Sequence, residues 1–290
     1  MPVDALVPFV FEGEAVRGAC VRMDGAARDA LAVHGYPAPL ARVLGELLAA
    51  ATLLAASLKF RGSLIVQLAG PGPVRLAVVE CDHQLALRAT AQWDARALAT
   101  MAAGATLAEL AGGGGEARLA ITLDPEEGEL YQGIVALEAG SVASLLEHYL
   151  ASSEQLASRL ALCCRDGRVG GLLVQRLPGA GDDAAAPWEE ATSVVGALDP
   201  AELVADTDPT GVLRRVFPGR DLRVFRERTP RFVCRCTPAR VDQALRIAGR
   251  DEVEAALAEA GVVEVTCEYC GRRYTYSPSQ ARALFGAAQP

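Results

Sequence analysis

The spacing of apolar residues changes several times along this chain, and each change predicts an element. Over residues 39–60, Leu40, Val43, Leu44, Leu47 and Leu48 recur at intervals of three and four, the period of an α-helix with one apolar face. From Ser63 the period drops to two, with Leu64, Val66 and Leu68 on one side. Gly70-Pro71-Gly72-Pro73 then makes a turn, and residues 74–80 and 84–91 continue as strands of an antiparallel meander. Residues 1–30 are mixed, with one early strand over 14–22. Helical spacing returns over 98–110, and the four glycines from Gly112 to Gly115 read as a flexible loop. Residues 116–123 and 131–138 form another strand pair. A helix over 141–156 follows, with Val142, Leu145, Leu146 and Tyr149 on one side. A last hairpin, 159–164 with 170–177, turns at Asp166-Gly167. Strands clustered together with helices set apart predict an α+β domain over residues 1–180, an antiparallel sheet with packed helices.

Beyond it the pattern loosens. Residues 179–187 have a linker composition. Residues 189–208 hold six acids and no base, whereas 214–231 hold seven arginines against Asp221 and Glu227. Val194, Val195, Leu198, Leu203, Val204, Val212, Leu213 and Val216 fit short amphipathic helices. Short helices are marginal in water by themselves, so these must pack on something or be disordered. Residues 181–232 are expected to be a helical, metastable linker, balanced between docked and free. Residues 233–290 are expected to be a small C-terminal α+β module, with strands over 229–233 and 262–266 and a helix over 241–260.

Composition narrows the function classes. Hydrophobic residues make up 51% of the 290 and aromatics only 5%, so the core must be built from Ala, Leu and Val. The charge sum is 28 − 36 = −8. An acidic surface disfavours nucleic acid and anionic membrane as partners. Lys59 is the only lysine, in Ser57-Leu58-Lys59-Phe60, and no glycine-rich turn precedes it. A phosphate-binding loop for ATP is therefore excluded. The most apolar window, 47–58, falls short of the roughly 20 residues of a bilayer span and predicts a buried Ala/Leu helix. With no cationic segment at the start, a cytoplasmic protein is expected. His34, His83 and His148 are scattered, and no nucleophile or metalloprotease motif occurs, so no enzyme is expected.

Eight cysteines in a reducing compartment need an explanation other than a disulfide framework. Position supplies it for four. Cys234-Arg-Cys236 is followed, thirty residues on, by Cys267-Glu-Tyr-Cys270-Gly271. Four thiolates make a tetrahedral zinc site, and a Cys-x-x-Cys turn with glycine after it places two sulfurs on one metal. Cys234, Cys236, Cys267 and Cys270 are thus the candidate ligands of one Zn²⁺, with Arg235, Arg240, Arg272 and Arg273 available to balance the charge. Thiolates are also what oxidants attack, so such a site is oxidisable, and losing zinc should unfold so small a module. The residues alone leave alternatives open: iron in the same site, a zinc ribbon that binds nucleic acid or protein constitutively, or a Cys-x-x-Cys thiol–disulfide oxidoreductase. Cys20, Cys81, Cys163 and Cys164 read as small buried apolar residues, and strand geometry argues against a direct bond between Cys163 and Cys164.

The Cys-x-Cys…Cys-x-x-Cys ending, with Phe11-Glu-Gly-Glu-Ala-Val-Arg-Gly18, Leu58-Lys-Phe60, Gly72-Pro73, Tyr131-Gln-Gly-Ile-Val135 and Ser153-Glu-Gln-Leu156, resembles the 33-kDa heat-shock chaperonin family, the bacterial redox-regulated holdase chaperones. The resemblance spans essentially the whole chain and implies the following. The reduced, zinc-bound form is inactive. Peroxide or hypochlorite joins neighbouring cysteines, here Cys234 with Cys236 and Cys267 with Cys270. Zinc leaves, the linker loosens, and a homodimer binds unfolding client proteins without ATP. The four extra cysteines depart from the family's common pattern.

Overall fold

The structure is a computed structural model that describes residues 3–113, 115–138, 140–179, 185–205 and 208–286. It divides into two compact units, Met1–Val233 and Cys234–Pro290. Residue 180, at the end of the expected N-terminal domain, and residues 181–184 and 206–207 of the expected linker lie outside the described residues.

The first unit opens with β1 (Asp4–Phe11), β2 (Val16–Met23), α1 (Gly25–Leu31) and the long α2 (Ala38–Ser57). The meander β3 (Gly62–Ala69), β4 (Val74–Asp82) and β5 (Ala86–Trp93) follows, then α3 (Ala95–Ala99), α4 (Leu107–Ala111), β6 (Arg118–Pro125) and β7 (Tyr131–Ala136). Next come α5 (Val142–Ser152), β8 (Ser158–Arg165) and β9 (Arg168–Arg176). The unit closes with α6 (Ala185–Ala197), α7 (Glu202–Ala205), α8 (Pro209–Val216), β10 (Leu222–Val224) and β11 (Arg231–Phe232). One sheet has the order β10-β1-β2-β9-β8, the other β11-β5-β4-β3-β6-β7. Neighbours are antiparallel except β11, which lies parallel to β5. The α+β class with antiparallel sheets is as expected.

Helix α2 is the centre of this unit. Leu40, Leu44, Leu47, Leu48 and Leu53 are fully buried, and one apolar core joins them to both sheets. A helix apolar nearly all round needs cover on all sides, and here two sheets supply it. This is the one helix among the described residues long and apolar enough to span a bilayer, and its apolar length is spent inside the protein.

Two expected elements differ. The helix over 98–110 is instead α3 and α4. Gly104 interrupts the run, and Thr106 restarts it with a capping box, its hydroxyl accepting from the Glu109 N–H while the Glu109 carboxylate accepts from the Thr106 N–H. Strand β1 is unpredicted, and the reason is that both of its faces are buried. Val7, Phe9 and Phe11 point one way into a second apolar cluster, and Leu6 points the other way into the core around α2. Such a strand reads as a continuous apolar run without alternation.

The second cluster is where residues 185–217 pack. On the face of the five-stranded sheet away from α2, Val7, Phe9, Phe11, Val16, Cys20, Ala161, Cys163, Leu172 and Val174 are covered by Ala191, Val195, Leu203, Val204, Val212, Leu213, Val216 and Phe217. Asp208 caps α8 by accepting from the N–H groups of Thr210 and Gly211. Phe217 stands edge-on to Phe11 at 5.1 Å and 6.0 Å from Phe9. Arg220 pairs with Glu14 and Glu190 and lies over the Phe11 ring.

Candidate metal centre

The second unit holds α9 (Pro238–Ala248), α10 (Arg250–Ala260), the hairpin β12 (Val263–Thr266) and β13 (Arg273–Tyr276), and α11 (Pro278–Ala283). The expected helix over 241–260 is two helices, because Gly249 between them sits at φ 97°, which a helix cannot contain. The expected strand over 229–233 does form, as β11, but it joins β5 in the first unit rather than β12. Among the described residues six side chains form the buried core of this unit: Val241, Leu245, Val253, Leu257, Val263 and Ala281. A core that small supplies little stability by burial alone.

Each cysteine is placed by a local signal. Cys236 directly precedes Thr237, whose hydroxyl accepts from the Arg240 N–H and starts α9, with Pro238 in the first turn. Cys267 and Cys270 lie in the turn between β12 and β13. The Cys267 N–H donates to Arg272 O (2.9 Å), and the Gly271 N–H donates to Cys267 O (2.8 Å). Gly271 takes φ 69°, the left-handed region that a side chain would resist. This is the glycine that the Cys-x-x-Cys-Gly pattern singled out.

The four sulfurs converge within 4.8 Å of one another. Cys234 Sγ lies 3.6 Å from Cys267 Sγ, and Cys236 Sγ lies 3.4 Å from Cys270 Sγ. None is bonded to another. A tetrahedron with Zn–S bonds of about 2.3 Å has S···S edges of about 3.8 Å, so the cluster has roughly the size that ion requires. Among the described residues this is the one group of three or more His, Cys, Asp or Glu that converges this way.

The electrostatics point in the same direction. Burial opposes ionisation of Cys236, but the Tyr274 hydroxyl and the neighbouring thiols outweigh it and bring its pKa to about 7. Cys270 is pushed up to about 12, first by burial and then by the other three thiols. Burial raises Cys234 as well. Without a cation, then, negative charge is favoured on Cys236, while Cys234 and Cys270 hold their protons more tightly. A divalent ion with a preference for thiolate is what allows all four to ionise together, so the donor set fits zinc. Of the expected charge-balancing arginines, Arg272 interacts with Tyr274 and then with the sulfurs of Cys236 and Cys270. Arg273 reaches across the hairpin to Glu264 instead (3.9 Å). Spacing could not have found Tyr274, which comes to the site only through the β12–β13 pairing.

The remaining cysteines and histidines stand apart from this site. Cys20 and Cys81 are 1% and 0% exposed, and burial pushes both thiols up to about 12. Cys163 and Cys164 point to opposite faces of β8, one into the second apolar cluster and one toward Gly45 of α2. His83 Nδ1 accepts from the Gly62 N–H (3.1 Å), and His34 packs edge-on to Tyr36.

Comparison with known proteins agrees with this architecture over the full length. A family model described as "Hsp33 protein" matches residues 4–277. A 33 kDa chaperonin of Chromobacterium violaceum is 42% identical over 284 residues, 97% of this chain and 94% of the relative. One from Neisseria gonorrhoeae is 40% identical over 283 residues, covering 98% and 92%. The crystal structure of the 33 kDa chaperonin (heat shock protein 33 homolog) of Thermotoga maritima superposes with a TM-score of 0.79 over 97% of each chain, a likeness of fold at 23% identity. With the cysteine cluster, the two sheets around α2 and this end-to-end similarity taken together, the chain belongs to the Hsp33 family.

Proposed function

We propose that this protein is an ATP-independent holdase chaperone, held inactive by zinc on Cys234, Cys236, Cys267 and Cys270 and activated by oxidation of those sulfurs. The observation that carries the reading is the convergence of four unbonded thiols in a unit with six buried core side chains among its described residues. Bound zinc supplies the charge that lets four thiolates share one site, and a tie between the two cysteine pairs. The Cys-x-Cys half sits at the start of α9 and the Cys-x-x-Cys half at the tip of the hairpin, so this tie joins elements that the small core holds weakly.

Oxidation reverses the tie. In each half, two thiols give up two electrons and two protons to one peroxide, an S–S bond forms, the O–O bond breaks, and two waters leave. Pairing Cys234 with Cys236 and Cys267 with Cys270 closes very small loops. It leaves nothing linking the halves, and sulfurs in a disulfide are no longer thiolate donors. Pairing between the halves would instead close loops of some thirty residues, which restrain the unfolded chain more and would hold the unit together. Pairing within each half is what the family resemblance implies, and it is the pairing that would leave the halves unlinked.

Residues 181–232 act as the metastable linker between an N-terminal domain, 1–180, and the redox-switch module, 233–290. Only Val233 separates β11 from Cys234 along the chain. Release of α6, α7 and α8 bares Val7, Phe9, Phe11, Val16, Leu172 and Val174 on one sheet face, an apolar surface of the kind that captures unfolding chains. The active form is a homodimer in the cytoplasm, acting on unfolding client proteins and not on nucleic acid or membrane. The test is to treat reduced, zinc-loaded protein with peroxide at raised temperature. Zinc release is followed with a chelating dye and aggregation of a denaturing client by light scattering. Suppression should appear only as zinc is lost. Equal suppression before and after oxidation would mark a constitutive binding module and overturn the switch.

A further inference from the structure

Outside the metal centre, the most unusual group in the protein is a buried cation. Arg22 of β2 is 1% exposed. Its Nη2 pairs with Asp24 Oδ1 at 2.8 Å, but its Nε and Nη1 are buried with no hydrogen-bond partner. Two orphaned N–H groups on a guanidinium cost more than the same groups on a neutral side chain, so their presence calls for a reason.

Strand register shows which residues share its face. Arg22 lies opposite Gly170 of β9, and Gly170 lies opposite Cys163 of β8. Residues paired across antiparallel strands share a face. The face is fixed by Gly170, where an added Cβ would lie 2.7 Å from Leu203 O and 2.9 Å from Leu203 Cβ of α7. Arg22 and Cys163 therefore flank a side-chain-free position on one sheet face, and Leu203 of α7 fills the space above it.

We propose that Cys163 is a second, cryptic oxidation site, covered by α7 and activated by Arg22 when α7 leaves. This rests on release of the linker helices as proposed above. The charged groups that bear on the thiol come from several elements. Burial raises its pKa most, followed by Glu46 of α2, and Asp199 between α6 and α7 raises it too, while Arg165 of its own strand and Arg22 lower it. When α6 and α7 depart, the burial and Asp199 go with them. Glu46 remains opposed by two arginines, so the thiol shifts toward thiolate. Cys20, on the same sheet face, provides the contrast. Burial and then Asp208 raise its pKa, and the one cation that lowers it, Arg215 of α8, departs with the helices, so no arginine stays to favour its thiolate.

The reaction needs a peroxide, the oxidant of the proposed switch. The Cys163 sulfur attacks one peroxide oxygen, an S–O bond forms, the O–O bond breaks, and the departing hydroxide takes the thiol proton as water. Sulfur is oxidised by two electrons to sulfenic acid and the peroxide is reduced. The oxygen on sulfur is an acceptor suited to the two orphaned N–H groups of Arg22.

The experiment uses the full chain with a 1,3-dione probe for sulfenic acid, read by mass spectrometry with fragment ions separating Cys163 from Cys164. Labelling under peroxide is compared in zinc-loaded wild type, in wild type whose zinc module has been oxidised, and in zinc-loaded Leu203→Glu and the milder Leu203→Ala, which loosen α7 directly. Cys163 should label about tenfold faster in the last three than in the first, the effect of about one pKa unit on thiolate fraction, and ahead of Cys20 in the same samples. Adding Arg22→Met should remove most of the gain and raise the midpoint of the pH profile for Cys163 alkylation, and Arg22→Lys should restore part of both. No acceleration in either Leu203 variant overturns the proposal, as does a gain that Arg22→Met leaves intact. Acceleration in the Leu203 variants but not on oxidation of wild type upholds this site and overturns linker release instead.

Discussion

Gly45 shows how closely single residues are fitted in this protein. It lies in the middle of α2, where glycine costs about 1 kcal/mol relative to alanine. An added Cβ would sit 2.3 Å from Cys164 Sγ and 2.5 Å from Cys164 Cβ. The helix gives up propensity so that β8 can approach. Gly45→Ala should therefore destabilise the protein by about 1–3 kcal/mol despite its better helix propensity, as overpacking does. Urea unfolding of Gly45→Ala, Cys164→Gly and the double variant checks this, and the double variant should lose less than the sum of the singles. The same contact explains why Cys164 is a packing residue, whereas Cys163, one position away on the opposite face, lies across Gly170 from a buried cation.

Among the elements, the segment 185–217 carries the functional argument, and its hold on the sheet is uneven. Helix α7 is four residues long, and α8 has one apolar face anchored by Val212, Leu213, Val216 and the Phe217 ring that follows it. Phe217 meets both Phe9 and Phe11, so its ring ties the end of α8 to β1. Phe217→Ala should cost about 3–5 kcal/mol of packing, concentrated on these helices. The expected outcome is faster tryptic cleavage after Arg214 and Arg215, and measurable suppression of client aggregation, in protein that is still reduced and zinc-loaded. Cleavage tracks the open population when opening is fast relative to the protease. Unchanged cleavage would show that the Phe217 ring does not hold α8 down.

For the molecule as a whole, the two units differ in what stabilises them. The first has two sheets closed over a buried α2 and a second apolar cluster on its outer sheet face. The second has, among its described residues, six buried core side chains and four converging thiols. Chelating the metal, or replacing a ligand as in Cys270→Ser, should unfold the second unit, since structural zinc supplies about 10–16 kcal/mol of apparent folding energy in small domains. Circular dichroism should lose the helical signal of α9 and α10, while the main thermal transition of the first unit stays. Stoichiometric zinc retained by Cys270→Ser would overturn the four-ligand assignment.

Much of this was legible in the chain itself. The period-two and period-three-to-four patterns marked α2, the meander and the β8–β9 hairpin, because each of these places one chemistry on one repeat. The four cysteines were legible for a different reason: metal ligands that share short turns keep a short spacing, and Gly271 follows them because the turn requires a left-handed residue. Strand β1 was hidden because cover on both faces erases alternation, and the breaks at Gly104 and Gly249 were hidden because apolar spacing runs on through them. Tertiary structure alone could bring Tyr274 to the sulfurs and set β11 beside β5. It alone could lay Arg22 and Cys163 on either side of Gly170 beneath Leu203. Periodicity reports which face of an element is apolar. What that face meets depends on pairing between residues far apart in the chain, and only the folded protein decides it.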